Sequence, residues 1–229
     1  MSDAVYKRLA EVLNTLPNGF PETKSGIELK ILKKIFEPDE AELFCDMRLT
    51  FESAQQVAER TGRPVQGLED KLISMGAKGQ LFAIQFGDAR FFKMLPWVFG
   101  IFEFQLGRID KELARMVDEY GTAFGNQFFT GKPQLMQTIP IEETIRTHQE
   151  TLPYEKVSAL IEQNQAFLLN ECICKKEHAL LGKPCDRPVE VCLAMAPVPG
   201  VFDKAPNGRV ITRQEAYDLL KMTEEQGLV

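Results

Sequence analysis

The chain has 229 residues, of which 44% are hydrophobic, and its formal net charge is −6. This is enough to bury a sizeable core and to form two domains. The acidic balance argues against a dedicated nucleic-acid binder, which normally carries a basic face. The chain has no apolar run of about 18 residues and no basic-then-apolar leader pattern. We therefore expect a cytoplasmic protein with no membrane partner.

The first part of the chain predicts a series of short helices. Apolar residues recur at helical spacing from Asp3 to Leu16, and a second helix is predicted over residues 27–36. Pro38 then opens a third helix, because proline fits the first helical position. Cys45 falls inside this third helix, and we expect it to be a core residue rather than a metal ligand.

The next segment has the element order of a winged-helix domain. A short helix ending at Gly62, a second helix after Pro64 and two apolar runs separated at Gly87 predict helix, turn, helix and hairpin. Such domains often place the second helix in the DNA major groove. The charged residues of that helix are Glu69, Asp70, Lys71 and Lys78. Because these charges nearly cancel, we expect a scaffold or protein-contact role and no nucleic-acid partner.

A long helix is predicted from Pro96 to near Gly121. Its first half is apolar on nearly every side, which is typical of a helix buried between layers or at a subunit interface. We therefore expect a homodimer, or partner binding through the amino-terminal half. In the less regular stretch that follows, GNQFFTGKP predicts a loop and QTIPI a short strand, and His148 is expected at the surface.

The last part of the chain predicts a second small domain. An amphipathic helix is expected in YEKVSALIEQNQ, and the apolar residues 167–169 lead directly to Cys172. Near the end, Thr212 and Glu215 have the three-residue spacing of a capping box and predict a helix start. The chain stops at Val229 where a further strand would be expected.

Four cysteines crowd into one short stretch of this domain. They are Cys172, Cys174, Cys185 and Cys192, with the spacing C-x-C-x10-C-x6-C. The alternation at the start would place the first two thiols on the same side of an extended segment. An odd total of five cysteines, crowded at one end, suits a reducing compartment better than a disulfide framework. Four converging thiolates suit zinc or an iron–sulfur cluster, so the stretch predicts a metal site.

The spacing alone does not decide between the two metals. The stretch contains neither the C-x2-4-C knuckle of structural zinc sites nor the common ferredoxin run C-x2-C-x2-C-x3-C-P. Its basic residues would partly offset the charge of an iron–sulfur centre, although a solvated basic loop is the alternative. They are Lys175, Lys176, Lys183 and Arg187. His178 is expected to be an outward polar residue on a short helix rather than a ligand.

The string CICKKEHALLGKPCDRPVEVCL resembles the cysteine motif of a family of anaerobe-type 4Fe–4S ferredoxin-related proteins, C-I-C-[RK]…G-x-x-C-D-x-P-x-E-x-C-L. The opening VYKRLAEVLNTLPNGFPETKSGIELKILKKIF, GIFEFQLGRID and LPYEKVSALIE are also similar to that family. The resemblance therefore covers almost the whole chain. It implies one [4Fe–4S] cluster whose ligands are Cys172, Cys174, Cys185 and Cys192. Many relatives continue into a C-x-x-C-type ferredoxin module, and we expect that this redox partner centre is missing here.

Together these patterns predict a mainly α protein of the α+β class. A winged-helix-like domain is expected over residues 1–95, a long helix and connection over 96–150, and a small four-cysteine domain over 151–229. The predicted function is electron transfer or redox sensing with a redox partner protein. The alternatives are a redox- or metal-responsive winged-helix transcription regulator and a structural zinc-binding interaction protein. No glycine-rich phosphate loop or G-x-S-x-G elbow occurs, so we do not expect an enzyme.

Overall fold

The computed structural model describes residues 2–131 and 157–227. The chain divides into two compact units, which are Met1–Leu135 with Glu177–Pro184, and Met136–Lys176 with Cys185–Val229. The described residues are largely helical with two small antiparallel sheets, which confirms the α+β prediction. In these two stretches no helix is long and apolar enough to cross a membrane. The predicted QTIPI strand and His148 lie outside the described residues.

The first unit begins with five helices whose starts and ends follow local sequence signals. They are α1 (Ser2–Asn14), α2 (Ile27–Ile35), α3 (Pro38–Phe44), α4 (Ala54–Thr61) and α5 (Leu68–Ala77). At the start of α4 the Ser53 hydroxyl accepts a hydrogen bond from the Gln56 amide, and the Gln56 side chain accepts one in return. This capping box satisfies two amides that have no partner inside the helix. The helix ends at Gly62, whose φ of 71° suits glycine.

A β-hairpin follows the fifth helix, as predicted. Its strands are β1 (Leu81–Phe86) and β2 (Ala89–Met94), which pair antiparallel around a turn at Gly87. A third backbone segment joins the hairpin, because Glu52 and Phe92 exchange N–H···O bonds of 3.0 and 2.9 Å. The residue before α4 therefore pairs with the second strand of the hairpin.

The predicted continuous helix from Pro96 to Gly121 is wrong. The structure has an irregular, kinked segment Trp97–Ile101, one short turn α6 (Phe102–Phe104), and then a new helix, α7 (Lys111–Thr130). The restart has a local cause, because the Asp110 carboxylate accepts a hydrogen bond from the Leu113 amide at 2.8 Å.

The same helix also runs past the point where it was expected to end. Most of GNQFFTGKP, predicted as a loop, lies in the last turns of α7. Tyr120, Phe124 and Phe128 are buried at four-residue spacing along this helix. This apolar stripe continues the helix through Gly121 and Gly125, because burial of aromatic side chains outweighs the low helix propensity of glycine.

The apolar residues of the broken segment pack inside the first unit. Trp97 is 2% exposed, and its ring lies 5.5 Å from the ring of Phe20. The Phe20 ring also contacts Tyr120 at 5.0 Å, and the Tyr120 hydroxyl donates to the Pro21 carbonyl oxygen at 3.1 Å. Residues from three distant parts of the chain thus form one aromatic core.

The second unit is built on a three-stranded antiparallel sheet of order β4-β3-β5. Its elements in chain order are α8 (Val157–Gln163), β3 (Ala166–Glu171), α9 (Ile173–Leu180), β4 (Glu190–Ala196), β5 (Arg209–Ile211) and α10 (Arg213–Glu225), with α9 divided between the units. Phe167 and Leu169 on β3 pack with Ala216 and Leu219 of α10 and with Ile161 of α8. The helices therefore cover one face of the central strand.

The last helix begins where the sequence predicts. The Glu215 amide donates to the Thr212 hydroxyl at 3.2 Å, and the Glu215 carboxylate accepts from the Thr212 amide at 2.7 Å. The capping box is therefore confirmed. The short strand β5 directly before it brings Gly208 against β3, since a Cβ at Gly208 would lie 2.3 Å from the Asn170 side-chain oxygen.

Candidate metal centre

The four cysteines of the motif lie where the central strand of the second unit ends and its neighbour begins. Cys172 follows β3 directly, Cys174 lies in the first turn of α9, and Cys192 lies on β4 opposite Asn170. Cys185 lies in the exposed loop between α9 and β4. The predicted extended segment through the first two cysteines is wrong, because the chain turns into a helix at Ile173.

A β-bulge sets the position of Cys192 relative to Cys172. The pairing of β3 with β4 shifts register between Asn170 and Glu171, and Val191 is left without a partner in that register. An extra residue in one strand bends it and re-aims the side chains beside it. Beyond the bulge the Cys172 amide donates to the Val189 carbonyl at 2.7 Å, so the two chain segments stay in contact at the motif.

Cys172 occupies the position that caps the start of α9. Its carbonyl oxygen accepts the hydrogen bond of the Lys176 amide at 3.1 Å. Its sulfur accepts hydrogen bonds from the backbone amides of Lys175 and Cys174. The amino end of a helix carries unpaired N–H groups and a partial positive charge, which together stabilise a thiolate.

The Cys172 sulfur also contacts two other thiols of the motif. Hydrogen bonds from Cys174 and then from Cys192 lower the pKa of Cys172 far below that of an ordinary thiol, and the two helix amides add to this effect. Half-burial of the sulfur acts in the opposite direction but does not outweigh these contacts. Three of the four predicted ligands are thus gathered at one point of the fold, with Cys172 in the middle.

Cys185 is the one motif cysteine for which no contact with another thiol is seen among the described residues. Its loop is nevertheless tied to the same place, because the Lys175 ammonium group donates to the Pro188 carbonyl oxygen. The Cys172 amide holds the neighbouring Val189 carbonyl in the same way. These two bonds anchor the loop just after Cys185 beside the other three cysteines.

The donor set fits a thiophilic metal in chemistry, although the four sulfurs do not surround one point. Among the described residues no group of three or more His, Cys, Asp or Glu side chains is arranged to hold a metal ion. The thiols meet at Cys172 rather than around a common centre. Thiolate ligands favour zinc and iron–sulfur clusters over hard cations, so the residues present match the predicted groups in type.

The basic residues of the motif are largely engaged within the protein. Lys176 pairs with Glu171 at 3.2 Å, and Arg187 approaches the Asp186 carboxylate at 3.9 Å. Lys175 donates to a backbone carbonyl, as described above. Lys176 and Arg187 are thus already paired with carboxylates of the protein. This weakens the expectation that the four basic residues offset the negative charge of an iron–sulfur centre.

Two residues were expected not to bind metal, namely Cys45 and His178. Cys45 lies at the carboxyl end of α3 in the first unit, and burial raises its pKa to about 11. An uncharged thiol is a poor metal ligand, because the thiolate is the binding species. His178 is exposed on α9, as predicted for an outward polar residue.

Glu177 is a buried acid that the sequence reasoning did not single out. It is 7% exposed, and burial followed by the negative charge of Asp118 raises its pKa to about 7. The signal available in the sequence was its position four residues after Ile173, which places both on one helix face. Ile173 is also buried, at 4% exposure.

Three basic residues of the predicted winged-helix region pair with carboxylates. Lys78 contacts Glu40 at 2.6 Å and Arg90 contacts Glu69 at 2.9 Å. The Lys71 ammonium group pairs with Asp39. Phosphate contacts from this surface would first have to break these pairs, and the acidic partners would repel the phosphates.

Comparison with protein-family models found no match, and searches of the curated proteins and of the solved structures found none either.

Proposed function

We propose that this protein is an iron–sulfur protein that holds one [4Fe–4S] cluster with Cys172, Cys174, Cys185 and Cys192 for electron transfer or redox sensing. The observation that carries the proposal is the contact of the Cys172 sulfur with the thiols of Cys174 and Cys192. Four thiolates are the usual ligands of such clusters. The resemblance of the motif to anaerobe-type ferredoxin-related proteins supports the same assignment.

The residues around the motif would tune the charge at this site. When bound, such a cluster accepts or releases a single electron. The helix amides of Cys174 and Lys175 already point at the Cys172 sulfur, and hydrogen bonds to sulfur are one of the factors that set reduction potentials. Cys174, Cys185 and Cys192 are exposed, which keeps the site accessible to a redox partner. We propose that this partner is a separate redox protein or a ferredoxin module, in the cytoplasm.

The first unit supports a role as a winged-helix domain that contacts protein. The order α3, α4, α5 and the β1–β2 hairpin matches the order expected of such a domain, and an isolated bridge from Glu52 to Phe92 adds a third backbone segment beside the two-stranded hairpin. This order also favours a second candidate, a redox-responsive transcription regulator. The carboxylate pairs of Lys71, Lys78 and Arg90 argue for a protein contact instead.

Anaerobic reconstitution with ferrous iron and sulfide tests the proposal. We expect a brown protein with broad visible absorption and about four iron and four sulfide ions per chain. The matched control is zinc, added alone to the same reduced protein. A colourless protein that takes up one zinc ion and no iron would replace the proposal by the structural zinc alternative.

A further inference from the structure

All five cysteines of the chain are free thiols, and the Cys172 sulfur contacts the thiols of both Cys174 and Cys192. Cys172 lies between Cys174 and Cys192, which are both solvent-exposed. A soluble oxidant can therefore reach the group directly. Thiols that are held in contact and open to solvent form disulfides readily, because the bond needs little movement of the backbone.

We propose that Cys172 and Cys192 form a reversible disulfide that switches the four-cysteine motif between a metal-binding and a locked form. The proposal deepens the function proposed above, because it assigns redox regulation to two of the same four ligands. A sulfur held in a disulfide does not bind metal as a thiolate. Oxidation would therefore remove two ligands at once, and reduction would restore them.

The fold favours Cys192 over Cys174 as the partner of Cys172. Cys174 lies only two residues away in the first turn of α9, whose amides bind the Cys172 sulfur. A disulfide between these two would pull the sulfur away from those amides and distort the start of the helix. Cys192 belongs to a different strand, so a bond to it joins two segments that the sheet already holds side by side.

A β-bulge lies next to the contact between Cys172 and Cys192. Cys192 pairs with Asn170, which lies two residues before Cys172 at the end of β3. The extra residue, Val191, bends β4 at this place. The sulfurs of Cys172 and Cys192 are in contact beside this irregularity and beside the start of α9.

Hydrogen peroxide can act as the oxidant that forms this disulfide. Hydrogen peroxide oxidises the Cys172 thiol to a sulfenic acid and releases one water. The Cys192 sulfur then attacks the Cys172 sulfur, the S–O bond breaks, and the hydroxyl group leaves with a proton as a second water. In total two thiols lose two electrons and two protons, and one peroxide becomes two waters. A small-molecule dithiol reverses the change by exchange.

The positions of glutamate in the motif allow a direct test. A protease that cleaves after glutamate cuts at Glu171, Glu177 and Glu190. Cys172 and Cys174 are then in one peptide, Cys185 in a second and Cys192 in a third. After peroxide treatment of metal-free protein, non-reducing mass mapping should show the first peptide joined to the third, lighter by two hydrogens.

Two variants decide which cysteine of the first peptide is joined. We expect the Cys174→Ser protein to keep the cross-link and the Cys172→Ser protein to lose it. Cys45→Ser is the control and should behave like the parent protein, because Cys45 lies in the first unit. Should a variant fail to fold, fragmentation of the joined peptide from the parent protein makes the same assignment. A bond from Cys174, or from Cys185 in the second peptide, would overturn the proposal.

The same peroxide experiment on metal-loaded protein distinguishes the disulfide proposal from the proposed cluster function. Protein that has first taken up iron and sulfide should form no joined peptide under the same peroxide dose until the metal is lost. A joined peptide in metal-free protein that takes up no iron would support the disulfide and contradict the cluster. Iron uptake in a protein that never forms the joined peptide would contradict the disulfide alone.

Discussion

The two units of this protein contrast in how they use burial. The first unit has a buried aromatic core, and several of its cations pair with carboxylates, as Lys78 does with Glu40. The second unit leaves chemistry accessible, since Cys174, Cys185 and Cys192 are exposed beside a small sheet. A closed core provides stability, whereas exposed soft ligands provide reactivity. This difference is our reason for proposing a scaffold role for the first unit and the functional site in the second.

The largest effect is expected from removing a ligand in the second unit. Cys174→Ser should abolish most iron or zinc uptake, because the hydroxyl of serine is a much poorer ligand than a thiolate for these metals. Cys45→Ser should leave uptake unchanged, since Cys45 lies in the first unit with a raised pKa. Metal analysis of both purified variants measures the difference. Equal metal loss in the Cys174→Ser and Cys45→Ser variants would contradict the ligand assignment.

Metal removal should affect one segment of the chain and spare the rest. Metal binding often orders the loops that carry its ligands, and residues 175–190 are rich in charge and mostly exposed. We expect chelation to make this segment sensitive to trypsin at Lys175 and Lys176. Limited proteolysis followed by mass spectrometry gives the cleavage sites. Identical cleavage with and without metal would show that the fold alone orders the segment.

A core substitution in the first unit should act independently of metal. Leu32 is fully buried, so Leu32→Ala should lower the free energy of unfolding by about 2–5 kcal/mol. Leu49 is 49% exposed, and Leu49→Ala should change the free energy of unfolding by less than about 0.5 kcal/mol. Urea unfolding followed by tryptophan fluorescence reports this unit, because Trp97 lies in its core. If the loss of unfolding free energy caused by Leu32→Ala differed between metal-loaded and metal-free protein, the two units would not unfold independently.

The paired carboxylate of Glu40 gives the first unit a pH dependence. Burial alone would raise its pKa, but hydrogen bonds from Lys78, the Glu37 amide and Gln80 lower the pKa below 4.5. A depressed pKa means that ionised Glu40 stabilises the fold above its unfolded pKa. That contribution is lost as the pH falls through the folded pKa.

Replacing Glu40 should therefore cost stability only near neutral pH. We expect Glu40→Gln to lower the free energy of unfolding by about 1–3 kcal/mol there, because Lys78 loses a charged partner. The difference from the parent protein should shrink at acid pH. Glu42→Gln is the matched control, since Glu42 is exposed on the same helix. An undiminished difference at acid pH would mean that packing, not charge, causes the loss.

Local signals made part of this structure predictable. Ser53, Gly62 and Thr212 each specify a helix end through their own side chain or backbone, so the sequence nearby contains the information. The hairpin turn at Gly87 is of the same kind. Elements that depend on distant partners were missed. The strand β5 is three residues long and exists because it pairs with β3.

The candidate site also combines features that the nearby sequence specifies with features that depend on distant strand pairing. The crowding of four cysteines predicted a four-ligand metal site, and this stays a prediction, although Cys172 contacts the thiols of Cys174 and Cys192. The helix start at Ile173 and the bulge after Asn170 were not predictable, because both depend on how the strands pair. The buried Glu177 was missed for a related reason, since only tertiary packing shows which helix face is covered.

The smallest expected effect is on DNA binding, where we predict none at physiological salt. Only a few cations of the first unit lie where a winged-helix domain would meet phosphates, and Lys71, Lys78 and Arg90 are already paired with acids. Non-specific binding is weak even for basic proteins, with dissociation constants of about 10⁻⁴ to 10⁻⁶ M. Fluorescence anisotropy with labelled duplex DNA measures this. Glu69→Gln should release Arg90 from its pair, and even this variant should show no micromolar or tighter binding. Micromolar or tighter binding by the parent protein, weakening steeply with salt, would instead favour the transcription regulator.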